Sequence, residues 1–190
     1  AKQLVSLKDV AIDMPAGPSE VEVIADGTTN PDFIAADFLS QAEHGADSQA
    51  MLVTSAESIV SPVVDAIQQQ LSELSRKDIT AKALEHSRII VLKDEPEVIA
   101  FTNMYAPEHL IIQTENYAHI AEQIENAGSV FMGPYTPESA GDYASGTNHT
   151  LPTNGYAKAY SGVNLDSFIK KITFQEITAE GIKNLGGTIQ

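Results

Sequence analysis

Short apolar runs and helix-patterned segments take turns along this chain, and that alternation restricts it to few architectures. Residues 20–25 place Val21, Val23 and Ala25 on one side of an extended strand. Asn30-Pro31-Asp32 then opens a helix, because Asn caps free backbone N–H groups and Pro suits the first helical position. Phe33, Ala36, Phe38 and Leu39 form its apolar stripe, and it ends near Gly45. Residues 49–54 are apolar enough for a strand buried on both faces. A helix over 55–74 follows, with Pro62 kinking it or marking its true first turn. Asp78 caps a helix that runs to His86, 88–92 is a strand, and Asp94-Glu95-Pro96 opens a helix ending near Tyr105. Residues 110–113 are a strand, 116–127 a helix stopped by Gly128, and 129–132 a strand. A further strand is expected over 10–14, broken where two prolines and a glycine cannot continue a ladder. Such alternation implies an α/β fold with a mostly parallel sheet flanked by helices.

Beyond Gly133 the pattern changes. Residues 134–160 are rich in Gly, Pro, Ser, Thr, Asn and Tyr with little periodicity, and a loop that long inside a compact domain is usually functional. Residues 168–177 read as a strand or part of a helix, and a last helix is expected from Thr178.

Only 6% of the 190 residues are aromatic, so the core must be built from Ile, Val, Leu and Ala. The formal charge of −15, with a pI near 4.5, repels phosphate backbones and argues against nucleic-acid partners. The charge is spread along the chain, which suits solubility rather than an acidic tail. Absence of cysteine removes disulfides, thiolate catalysis and Cys-ligated zinc together, and fits a cytoplasmic setting. No apolar run approaches the roughly 20 residues of a membrane helix. Ala1-Lys2-Gln3-Leu4 is neither a signal peptide nor an initiator, so the chain is expected to be cut, processed or trimmed there.

Common motifs are missing. No G-x-G-x-x-G follows a strand, Thr147 stands where a P-loop needs lysine, and neither H-E-x-x-H nor G-x-S-x-G occurs. Three Glu-His dipeptides must therefore be separated by context. His86 ends a helix, where a polar cap is favourable, and is assigned to structure. Glu108-His109 follows Pro107 and precedes an apolar strand, so a rigid turn presents an acid beside an imidazole; an exposed turn is the plainer alternative. Gln41 and His44 lie three apart on one helix face, a spacing that suits two ligands of one metal ion, although Gln is a poor zinc ligand. Asp142 and His149 fall in the Gly-rich run from Ser139 to His149, which reads either as a surface loop or as a segment folded around a ligand.

Topology links these residues. In a parallel sheet the covering helices run antiparallel to the strands, so helix C-termini lie beside strand N-termini. Ser19, Glu108 and His109 precede strands, while Gln41 and His44 end a helix. All five should gather at the amino edge of the sheet, opposite the edge where such folds usually bind ligands.

Asp13-Met14-Pro15-Ala16-Gly17-Pro18-Ser19-Glu20, Ser40-Gln41-Ala42-Glu43-His44-Gly45, Pro107-Glu108-His109-Leu110 and the run from Ser139 to His149 resemble, in order and spacing, the motifs of the histidinol dehydrogenase family. The resemblance covers nearly the whole chain. It implies oxidation of L-histidinol to L-histidine through an aldehyde, using two NAD molecules in turn, as the last step of histidine biosynthesis. It further implies a Rossmann-like fold without the glycine fingerprint, and a homodimer with shared active sites. By the same resemblance Gln41, His44 and Asp142 match zinc ligands that also contact substrate. Glu108 and His109 match the acid/base pair, with His109 also touching substrate, Ser19 matches a substrate contact, and His149 is a candidate for another. Residues 1–162 are expected to form the Rossmann-like portion and 163–190 the start of a small further domain. The residues that hold NAD are expected in an amino-terminal portion and one more zinc ligand in a carboxyl-terminal segment, both absent from this chain, so the chain alone should be inactive. Two readings compete: a zinc hydrolase using Glu108 as base toward bound water, and a non-catalytic α/β module.

Overall fold

The computed structural model describes residues 2–189. A short helix α1 (Lys2–Ser6) leads into β1 (Glu20–Ala25), α2 (Pro31–Ala42), β2 (Gln49–Thr54), α3 (Val60–Glu73), α4 (Lys77–His86), β3 (Arg88–Val91), α5 (Glu95–Tyr105), β4 (His109–Gln113), α6 (Tyr117–Ala121), β5 (Ser129–Met132), α7 (Glu138–Tyr143) and α8 (Ala179–Ile189). The five strands form one sheet in the order β3-β2-β1-β4-β5, with every pairing parallel.

Both faces are covered, which a parallel sheet requires. Val21, Val23, Ala50, Leu52 and Ile111 face Ile34, Phe38 and Leu39 of α2 and Val63 and Ile67 of α3. Ile24, Met51, Val53, Leu110 and Ile112 face Val98 and Ile99 of α5 and Ile120 of α6. The two-residue period of each strand sorts alternate side chains to the two cores. Caps fix the helix starts. The Asn30 side chain accepts from Asp32 N–H at 3.0 Å, and that of Asp94 accepts from Glu97 N–H at 3.1 Å. Helix α5 ends at Ala106, buried in the left-handed region at φ 58°, and Pro107 prevents its continuation.

The structure corrects several local expectations. Residues 10–14 pair with no strand; the Asp13 carboxylate instead accepts from Met14 N–H at 2.8 Å and meets Lys2. The segment after β2 opens with a 3-10 turn (Glu57–Ile59) rather than a helix from residue 55, and Pro62 marks the first turn of α3, one of the two expectations for it. Asp78 sits inside the first turn of α4, not at its cap, which is Arg76. Helix α6 stops at Ala121, not at 127. Asn103 of α5 accepts from the backbone of Glu125 and Asn126 at 2.7 and 3.2 Å and donates to the Gln123 carbonyl at 2.9 Å, pulling this stretch out of the helical path. The 134–160 run holds a short helix, α7, and a 3-10 turn (Tyr156–Lys158). Residues 169–177 are neither strand nor helix, following a 3-10 turn at Leu165–Phe168. Among the described residues no helix is long and apolar enough to cross a membrane.

Candidate active site at the amino edge of the sheet

The first residue of β1 organises the site. The Glu20 N–H donates to Glu108 Oε2 at 3.0 Å, while the Glu20 carbonyl lies 3.1 Å from His109 Nδ1. A carbonyl can only accept, so Nδ1 carries the hydrogen and Nε2 of the neutral ring is left with a free lone pair. That Nε2 is buried and has no hydrogen-bond partner among the described residues. The other side of the turn is held by β5. Gly128 N–H donates to the Pro107 carbonyl and Ser129 N–H to the Glu108 carbonyl, both at 2.9 Å. Gly128 is needed there, because a Cβ would stand 2.5 Å from the Glu108 carbonyl oxygen.

Helix α7 brings a residue that the sequence reading did not single out. Glu138 is 2% exposed, and its carboxylate accepts from the Gln41 amide nitrogen at 2.7 and 3.1 Å in the only amide orientation that satisfies both ends. The opposite end of that amide, its oxygen, then lies 3.4 Å from His44 Nδ1. Glu138 Oε1 also stands 3.8 Å from His109 Nε2, too far for a hydrogen bond. Gly141 lets α7 approach β5, since a Cβ there would meet the Phe131 ring at 2.6 Å; that ring flanks His109 with centroids 6.1 Å apart. A signal for Glu138 exists in the sequence: it precedes Asp142 by four residues, which puts both on one helix face.

Burial governs the electrostatics. It pushes Glu108 up to about 8, with the carboxylates of Glu20 and Asp142 adding to the rise and the Glu20 N–H opposing it. Glu138 is likewise pushed up to about 8 by burial, then by Asp142, Glu108 and Asp37. Burial lowers His109, against the Glu20 carbonyl and Asp142, which raise it. Uncharged forms are thus favoured in all three, and the 3.5 Å approach of His109 Nδ1 to Glu108 Oε2 is a close polar contact rather than a full ion pair.

The structure therefore brings Gln41, His44, Glu108, His109 and Glu138 into one group at the amino edge. Asp142, half-buried on α7, is near enough to act on Glu108, Glu138 and His109. His149 is exposed but still acts on His109. Ser19 is half-buried just before β1, its carbonyl accepting from Gln49 N–H at 3.0 Å, and its side chain makes no hydrogen bond among the described residues. His86 is exposed at the end of α4, outside this group. Among the described residues no three His, Asp or Glu side chains lie in the spacing of a metal cage. A cleft of about 550 Å³ opens at the opposite, carboxyl edge, lined by Thr28, Asn30, Gln113 and Tyr135; its uncharged lining except for Glu115 offers no acid/base pair, so the chemistry is placed at the amino edge.

Fold and site define a class: an α/β protein with helices on both faces of a parallel sheet and a buried acid–imidazole cluster at its amino edge. The family model for histidinol dehydrogenase matches residues 1–190, and the chain belongs to that family. It is 66% identical over its full length to the histidinol dehydrogenase of Bacteroides thetaiotaomicron and 55% identical to that of Vibrio parahaemolyticus, spanning 44% of the length of each. A crystal structure of histidinol dehydrogenase from Elizabethkingia anophelis superposes with a TM-score of 0.94 at 61% identity, over 99% of this chain and 43% of that one.

Proposed function

We propose that this chain carries the acid/base portion of the active site of a histidinol dehydrogenase, a cytoplasmic, homodimeric oxidoreductase that converts L-histidinol to L-histidine through the aldehyde. The observation that carries the reading is the Glu108–His109 pair, clamped by the N–H and the carbonyl of one residue of β1, Glu20, with the imidazole's free nitrogen buried beside Glu138. A hydrolase would also use a carboxylate and a metal, but whole-chain similarity to named dehydrogenases does not favour it.

Gln41, His44 and Asp142 are the residues that would hold zinc, with Ser19 and His149 contacting substrate. The donors fit in part: the Gln41 oxygen and His44 Nδ1 are 3.4 Å apart, close to the roughly 3.4 Å separating two tetrahedral zinc donors at about 2.1 Å. Zinc, when bound, supplies Lewis acidity to the substrate's alcohol oxygen and orients its nitrogens. NAD does not fit the described residues. The turn after β1, Asp26-Gly27-Thr28-Thr29-Asn30, has one glycine and no pyrophosphate cradle, so the cofactor pocket belongs to another part of the whole protein.

His109 accepts the alcohol proton at Nε2 while Nδ1 remains on the Glu20 carbonyl, which holds the ring in place. Glu108, in its ionised form, takes a proton from the water that adds to the aldehyde; burial raises its basicity for that step. Residues 163–190 begin a small second domain; no described residue beyond Thr153 is buried, so the described part of this segment adds nothing to the core. The test is turnover by the full-length protein that carries this chain, followed by NADH absorbance with L-histidinol. Two NADH per histidinol are expected; histidinol left unoxidised in the presence of zinc and NAD refutes the reading.

A further inference from the structure

Glu138 is buried, accepts twice from one amide, and belongs to neither the acid/base pair nor the proposed zinc ligands. A primary amide is a weak metal ligand, and its two ends are nearly equal in shape, so a glutamine ligand works only when something decides which end faces the metal. Lone aspartates and glutamates are seldom fully buried without a partner. Here the partner is the Gln41 NH2 group, at 2.7 and 3.1 Å. Both short contacts go to one nitrogen, which leaves the amide oxygen turned toward His44 Nδ1.

We propose that Glu138 is the positioning residue of the metal site: its carboxylate fixes the Gln41 amide with the oxygen toward His44, and its electron density makes that oxygen a better donor. The proposal rests on the reading that Gln41 and His44 hold a divalent cation. Hydrogen-bonded partners that orient and polarise a metal ligand typically change affinity about 10–100-fold. With both of its oxygens on the Gln41 nitrogen, the Glu138 carboxyl group accepts at that end of the amide and turns the oxygen end away. The 3.8 Å gap to His109 Nε2 excludes a hydrogen bond to the base, so the commitment is to Gln41.

Zinc affinity of the full-length protein, measured by competition with a chromophoric chelator, provides the test without recourse to activity. Glu138→Met keeps the volume and removes both acceptors; affinity should fall about 10–100-fold, with circular dichroism unchanged. Glu138→Gln retains one acceptor and should lose only a few-fold, keeping the proposal testable if the Met variant fails to fold. The exchange Gln41→Glu with Glu138→Gln restores a hydrogen bond between the two positions, with a carboxylate oxygen as donor to the metal, and should recover most of the affinity. His44→Ala serves as the control that loses metal. Wild-type affinity in Glu138→Met, or an exchange variant no better than Glu138→Met, overturns the positioning role. A wild-type protein that binds no zinc, or a His44→Ala variant that binds it as well, instead overturns the metal reading beneath it.

Discussion

A neutral imidazole accepts a proton only at the nitrogen that carries none, and the Glu20 carbonyl decides which one that is for His109. The Glu108 carboxyl group accepts from the N–H of the same residue, Glu20. Glu108→Gln keeps an oxygen that can accept that bond, so it tests chemistry rather than folding. The variant should oxidise histidinol to the aldehyde within a few-fold of the normal rate. The aldehyde step should slow by about 10²–10⁴-fold, the usual worth of a positioned base. Rapid-mixing NADH traces with trapping of the aldehyde check this, and equal loss of both steps would assign Glu108 another role. A second residue-scale prediction concerns Glu22, fully buried on β1 where the strand period calls for an apolar side chain. Burial pushes it up to about 8, with the Thr102 hydroxyl opposing and Glu20 adding. A carboxyl raised in the folded state contributes stability that is full below its ordinary value of 4.5 and lost as pH rises through 8. Glu22→Gln should therefore flatten a decline in unfolding free energy between pH 5 and 8 that amounts to about a few kcal/mol in the parent protein, read by denaturant titration across that range. An unchanged slope in the variant would show that Glu22 does not titrate in this window. Residue types made the acid–imidazole pair visible in the sequence; Glu138 escaped because its partner, Gln41, lies 97 positions away and only the fold joins them.

Elements place these residues, and the closest fit is between the turn at 107–108 and the start of β5. The amide hydrogens of Gly128 and Ser129 hold that turn at 2.9 Å. Gly128→Ala would put a methyl group 2.5 Å from the Glu108 carbonyl oxygen, a contact that backbone must move to relieve. Overpacking of this kind costs about 1–3 kcal/mol, and the displaced turn carries Glu108 and His109 with it. Melting temperature should fall, and kcat/KM should drop by at least about tenfold, the effect of one misplaced catalytic group. Lost stability with full activity would mean that the turn is not what positions the pair. The same scale shows what the sequence could convey. Strands β1, β2, β4 and β5 and helices α2 and α5 were legible because apolar period and caps act within a few residues. The true end of α6 was not, since Asn103 on α5 sets it through contacts 20 to 23 residues away. The amino-edge gathering of Gln41, His44, Glu108 and His109 was legible too, because strand and helix direction alone fix which ends meet.

At the scale of the whole molecule, the sheet and both its cores lie within the first 153 residues, while the described residues that follow are exposed or half-buried. Leu165, Phe168, Ile172 and Phe174 are 77%, 78%, 72% and 88% exposed. Apolar side chains so open, in one segment, mark a surface that pairs with something else. The edge strands β3 and β5 add Val91 and Met132, 44% and 43% exposed. The chain also spans only 44% of the length of the relatives from Bacteroides thetaiotaomicron and Vibrio parahaemolyticus, and its turn after β1 carries a single glycine. The function proposed above places a further zinc ligand and the NAD pocket in the rest of the protein. The isolated 190-residue chain should therefore fold, since its strand–helix units bury a sheet from both sides, yet self-associate at micromolar concentration. It should bind zinc weakly, as Gln41 and His44 are neutral and Asp142 alone offsets a dication. With zinc, NAD and L-histidinol it should produce no NADH. Sedimentation velocity and an absorbance assay on purified chain, freed of the host's own enzyme, decide both halves. A monomer with native circular dichroism would refute the exposed-surface argument, and sustained NADH production would refute the claim that these residues need the rest of the protein to turn over substrate.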